Sequence, residues 1–97
     1  MRKVVWAPRA VYDYEHNLAY LTEEWGEVAV KNFAKRTLSA LQKIVAYPYA
    51  WPESEQFRGA RKIVINSNVV LYYRVQEHQI ELARFFNVRQ HPDKVNL

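Results

Sequence analysis

With 97 residues, 49% of them hydrophobic and 14% aromatic, the chain can build one core and is too apolar for disorder. The absence of cysteine excludes disulfides, a thiol nucleophile and a cysteine-based zinc site, and no window reaches the roughly 20 apolar residues of a membrane span. The formal charge of +4 is unevenly placed, because residues 1–57 carry seven basic and seven acidic side chains whereas residues 58–97 carry seven and three. Charge concentrated on one region is a footprint for an anionic partner, a nucleic acid or an acidic protein. The N-terminus Met1 to Trp6 has no long apolar run, so no signal peptide is expected and the reducing cytoplasm is the expected compartment.

Val4-Val5-Trp6 is a short β-prone run stopped by Pro8, a residue suited to the first turn of a helix. Val11, Tyr14, Leu18, Leu21 and Trp25 then recur at spacings of 3 and 4, which predicts an amphipathic helix with Asp13, Glu15, His16 and Glu23 elsewhere on its surface. Gly26 is placed to end it. A second helix carries Val30, Ala34, Leu38, Leu41 and Val45, closed by Pro48 and Pro52, so the pair reads as an antiparallel hairpin. Tyr47 to Gln56, with two prolines, is a packed connection.

Beyond it the period changes to that of strands. Arg61 to Ile65, Val69 to Val75 and Ile80 to Val88 are separated by turns at Asn66-Ser67-Asn68 and Gln76 to Gln79, a three-stranded antiparallel meander. The order β-α-α-β-β-β defines one α+β domain over residues 1–97, a helical hairpin on one face of a small, mainly antiparallel sheet. In the middle strand Val69, Leu71, Tyr73 and Val75 share one face, and Val70, Tyr72 and Arg74 share the other. Tyr72 and Arg74 therefore sit either on an exposed binding face or in ordinary cross-strand packing. In the last strand Ile80, Leu82, Phe86 and Val88 share a parity that Arg84 interrupts, where a bulge would shift the register. A buried Arg84 must snorkel, pair with Glu81 or another acid, or face a binding surface. His16, His78 and His91 lack the spacing of a metal site.

These elements, the run Val5-Trp6-Ala7-Pro8-Arg9-Ala10, Trp25-Gly26 between the helices, Arg58-Gly59, the strand Val69 to Val75 and the ending Arg89-Gln90-His91-Pro92 together resemble the RelE/ParE superfamily of bacterial toxins over nearly the whole chain. The resemblance implies a growth-inhibiting toxin encoded beside an antitoxin that wraps and neutralises it, with no cofactor. RelE-like members cleave messenger RNA in the ribosome, and ParE-like members poison DNA gyrase.

RNA cleavage through the 2′-hydroxyl needs a base, an acid and cations for the phosphorane. The resemblance puts Arg61, followed by Lys62, on the strand that carries the family's lysines, and matches Arg89 to an arginine both branches share. Ile63 and Val70 stand where other basic residues are expected, and no tyrosine follows Tyr73. A reduced nuclease would use Arg61, Arg74 and Arg89 on phosphate and His91 as acid or base, with a pKa of about 6.5 if unperturbed. A binder of gyrase or antitoxin needs no such set and would use Lys62, Tyr72, Arg74, Arg84 and Arg89. The incomplete catalytic set favours the ParE-like reading, and the basic sheet invites an acidic antitoxin segment.

Overall fold

A computed structural model describes residues 1–55 and 57–89. The elements are β1 (Lys3–Trp6), α1 (Pro8–Trp25), α2 (Glu27–Ala46), β2 (Arg61–Val64), β3 (Val69–Val75) and β4 (Gln79–Asn87), in the expected order. Pro8 opens α1 with its ring in the first turn, where the missing N–H has no intrahelical partner to lose. Gly26 separates the helices at φ 85° and ψ −171°, a region open in practice only to glycine. Its N–H closes α1 by donating to the Leu21 carbonyl. A Cβ there would meet nothing within 4 Å, so the requirement for glycine is conformational rather than steric.

The sheet has the order β1-β4-β3-β2, with β1 parallel to β4 and the remaining pairs antiparallel. Both helices cover one face. Phe33, Ala40 and Ile44 of α2 and Ala10 of α1 pack there against Ile63, Leu71, Tyr73, Ile80, Leu82 and Phe85. The opposite face carries a smaller cluster of Tyr72, Ala83 and Phe86, overlaid by Phe57 and Val70.

The helix faces follow the apolar stripes only in part: Tyr14, Leu18, Leu21, Leu41 and Val45 pack on the core as the spacing predicts. Val11, Trp25 and Leu38 are exposed, whereas Asp13, Asn17 and Thr37 are buried. In α2 the inward row is Phe33, Thr37, Ala40 and Ile44 rather than Ala34 and Leu38. Thr37 is tolerated inside because its hydroxyl donates to the Phe33 carbonyl one turn back. The bulge expected in β4 is present. Tyr72 faces Arg84 and Tyr73 faces Leu82, so Ala83 has no counterpart on β3. The extra residue carries Phe85 into the main core and moves Phe86 to the opposite face from Ile80 and Leu82.

The open half-edge of β4 explains Asp13. β1 pairs only with Gln79 to Leu82, and the Ala7 N–H adds one more bond, to the Leu82 carbonyl. Beyond that point α1 takes over as neighbour. The Phe85 N–H donates to Asp13 Oδ2 at 3.1 Å, and Asn87 Nδ2 donates to Asn17 Oδ1 at 3.2 Å. Buried backbone groups need partners, and for Phe85 the Asp13 carboxylate supplies one where β1 stops, while Asn17 ties down the Asn87 side chain.

Candidate interaction surface

The face of the sheet away from the helices carries most of the expected site residues. Strand register aligns Lys62, Tyr72 and Arg84 in a row across β2, β3 and β4. Arg74 lies two positions along β3 from Tyr72. Lys62 is exposed. Tyr72 shares the row but is only 7% exposed, its ring met edge-on by Phe57 at 5.6 Å between centroids. The phenol therefore offers little contact area to a partner while the 57–60 turn stays in place.

The arginines are largely committed. Arg84 Nε donates to Asp13 Oδ2 at 2.6 Å and Nη2 to Oδ1 at 3.1 Å, a bidentate pair whose side chains are 12% and 9% exposed. Of the three options open to Arg84, it takes pairing, and the acid is Asp13 rather than Glu81. Its guanidinium also lies 5.7 Å from the Phe86 ring centre. Glu81 instead pairs with Arg74 at 3.3 Å. Arg61 Nη1 donates to the carbonyl oxygens of Trp51 at 2.6 Å and Tyr49 at 3.4 Å. Its guanidinium sits 5.1 Å from the Tyr49 ring and 3.7 Å from Glu53. Arg61 thus fastens the proline-rich connection to the sheet, aided by Tyr73, whose hydroxyl donates to the Pro48 carbonyl.

Arg89 stands apart. Arg74 pairs opposite Glu81, and Arg89 lies eight residues further along that chain, roughly 25 Å away at about 3.3 Å per residue. Arg61 pairs opposite Tyr73, beside Arg74. The structure thus brings Arg61 and Arg74 near one end of the sheet and Arg89 to the other, and no single phosphate meets all three. His91 lies outside the described residues. His16 stacks on Tyr12 at 5.9 Å and lines a small cleft with Arg84, while His78 is exposed beside Glu77. Among the described residues, no cluster of three or more His, Cys, Asp or Glu could hold a metal, and no helix is long and apolar enough to cross a membrane.

Desolvation raises the pKa of Tyr72 above 10.0, and of Tyr73 likewise, where the Arg61 charge pulls the other way. As pH climbs past 10 the unfolded chain releases these protons more readily than the folded one. Stability that is intact below pH 10 is therefore lost as pH rises toward the folded values. Tyr72→Phe is expected to flatten the fall of the urea midpoint above pH 10, and coincident curves for variant and parent would remove Tyr72 from the alkaline transition.

The family model for the ParE toxin of type II toxin-antitoxin systems matches residues 4–92. The chain belongs to that family. No curated protein matches it in sequence. Among solved structures, it is similar to the chromosomal ParDE system of P. aeruginosa, with a TM-score of 0.75 and 18% identity over 90% of this chain and 96% of that one. It is also similar to the YoeB/ParE toxin of Agrobacterium tumefaciens, with a TM-score of 0.67 and 16% identity over 88% and 96%. The YoeB-YefM complex of Staphylococcus aureus gives 0.62 and 18% over 89% and 95%. At these identities the likeness is one of fold, and it establishes the RelE/ParE-like α+β architecture.

Proposed function

We propose that this chain inhibits bacterial growth by binding DNA gyrase rather than by cleaving RNA, and that a cognate antitoxin neutralises it. It works as one domain, in the cytoplasm, without a cofactor. The observation that carries this reading is the disposition of the cations. Arg61 and Arg84 are engaged within the fold, Arg74 is paired with Glu81, and Arg89 lies at the far end of the sheet. A phosphorane needs converging cations beside an acid and a base, whereas a protein binder needs only a stable surface with exposed charge, such as Lys62 and Arg89. An antitoxin partner is supported by relatives whose structures are toxin-antitoxin complexes, the S. aureus YoeB-YefM heterotetramer and E. coli DinJ-YafQ.

One observation favours a second reading. Strand register sets Lys62, Tyr72 and Arg84 in one row, where the exposed Lys62 could meet an RNA phosphate, while Tyr72 and Arg84 would first have to be uncovered. Induction without antitoxin separates the two. The expected result is growth arrest with an SOS response, trapped gyrase and intact messages. Rapid cleavage of translated messages would instead establish an endoribonuclease and bring Arg61, Arg74, Arg89 and His91 into its site. Arg89→Ala reduces toxicity under either mode, whereas His91→Ala matters only to the nuclease. A chain that arrests nothing would be an antitoxin binder alone.

A further inference from the structure

A cleft of about 440 Å³ opens between the C-terminal half of α1, the first half of α2, the β2–β3 turn and the end of β4. That volume falls within the roughly 300–1,000 Å³ of small-ligand sites. Its composition is unusual, because five of the six asparagines in the chain line it although they are spread from residue 17 to residue 87. Asn17 and Asn87 bond to each other and to the backbone of Asp13 and Arg89, which leaves Asn32, Asn66 and Asn68 to meet a ligand. Asn66 spends its Oδ1 on the N–H groups of Asn68 and Val69, at 2.8 and 2.9 Å, which directs its amide nitrogen to other use as a donor. Arg36 and Arg89 also line the cleft, and among the described residues no carboxylate does. Trp25, 68% exposed, stands on the wall with Tyr20. Such exposure of a large indole at a concave site is costly unless something covers it.

The ligand that fits is rich in acceptors, negatively charged and flat. We propose that this cleft binds a nucleotide, with the base against Trp25 or Tyr20, its edge on the amides of Asn32, Asn66 and Asn68 and its phosphate on Arg36 and Arg89. An amide side chain offers a donor and an acceptor side by side, the complement of the N6 and N7 edge of adenine. Aromatic rings stack on any base, and guanidinium groups form charge-assisted bonds to phosphate. An aliphatic peptide segment would fill the apolar wall but desolvate the Asn32 and Asn68 amides and the Asn66 amide nitrogen without offering them partners. The unit recognised is the same whether it comes from a free mononucleotide or from a single strand of nucleic acid.

The test is a titration of the purified, 15N-labelled full-length chain with AMP, observing the asparagine side-chain amides and the Trp25 indole. Saturable shifts at Asn66, Asn68 and Trp25 are expected, with AMP binding at least about tenfold more tightly than adenosine or inorganic phosphate. Arg36→Ala and Trp25→Ala, both at exposed positions, should each weaken AMP by about tenfold, while Arg74→Ala leaves it unchanged. An eight-nucleotide oligoadenylate binding more tightly than AMP identifies a strand as the source, and the reverse order identifies the free nucleotide. No saturation below about 5 mM overturns the proposal. So does phosphate binding as well as AMP, which would reduce the site to a pair of arginines meeting any anion. Shifts centred on Lys62 and Tyr72 would place the nucleotide on the sheet and overturn it equally.

Discussion

Asp13→Ala should lower the stability of the fold by about 3–5 kcal/mol, the usual consequence of stranding one member of a buried ion pair. A domain of this size has roughly 5–15 kcal/mol in total, so the thermal midpoint should fall by on the order of 20 °C. Two losses combine. Arg84 keeps a charge that is 12% exposed without its carboxylate, and the Phe85 N–H loses its acceptor. Asp13→Asn retains an oxygen for that N–H and should fall between parent and Asp13→Ala. The double variant Asp13→Leu/Arg84→Met removes both charges and should recover much of the loss, but the orphaned Phe85 amide holds it about 1–3 kcal/mol below the parent. Urea titrations of the four proteins decide the matter, and an alanine variant within about 1 kcal/mol of the parent (about a third of the expected effect at most) would show that the pair is not what holds α1 to β4.

Phe85→Ala is the second large effect, about 3–5 kcal/mol from lost burial and an unfilled cavity. Phe85 is almost fully buried and stands where three elements meet. Its ring stacks on Trp6 of β1 at 5.2 Å and meets Tyr14 of α1 edge-on at 5.2 Å, and Tyr14 in turn stacks on Phe33 of α2. Phe85→Leu keeps most of the volume but not the ring contacts, each worth about 0.5–1.5 kcal/mol, and should cost about 1–2 kcal/mol. A leucine variant as damaged as the alanine one would place the energy in ring geometry rather than in filled space. The denaturant slope should stay constant through the series, because the area exposed on unfolding hardly changes.

Element order, strand periods and the β4 bulge were all legible before the structure, since each leaves a local trace: Pro8, Gly26, alternation in β3, and Arg84 breaking an apolar row. The family resemblance was legible for the same reason. Helix faces were legible only in part, since Tyr14, Leu18, Leu21, Leu41 and Val45 do pack on the core. Apolar spacing also led to Val11, Trp25 and Leu38, which are exposed. It passed over Asn17, which meets the Asn87 side chain, and Asp13, which goes inward because β4 outruns β1 and the Phe85 N–H demands an acceptor. That demand arises from a strand some 70 residues away, so no pattern within α1 announces it. Asp13 was the partner Arg84 required, but only tertiary structure selects it over Glu81. The arginines were legible as a basic region, not as side chains already in use. The asparagine cleft was invisible because its members come from four separate parts of the chain.

The position of β4 also bears on synthesis. β4, the last strand among the described residues, is an inner one, lying between β1 and β3, so Lys3 waits for Gln79 to emerge before it gains its neighbour. Contacts this distant in sequence are slow to form. Until β4 has been made, β1 has no place in a sheet and α1 has no edge to seal. A chain cut short anywhere before residue 79 therefore cannot assemble this fold, because β1 and β3 would have no strand between them.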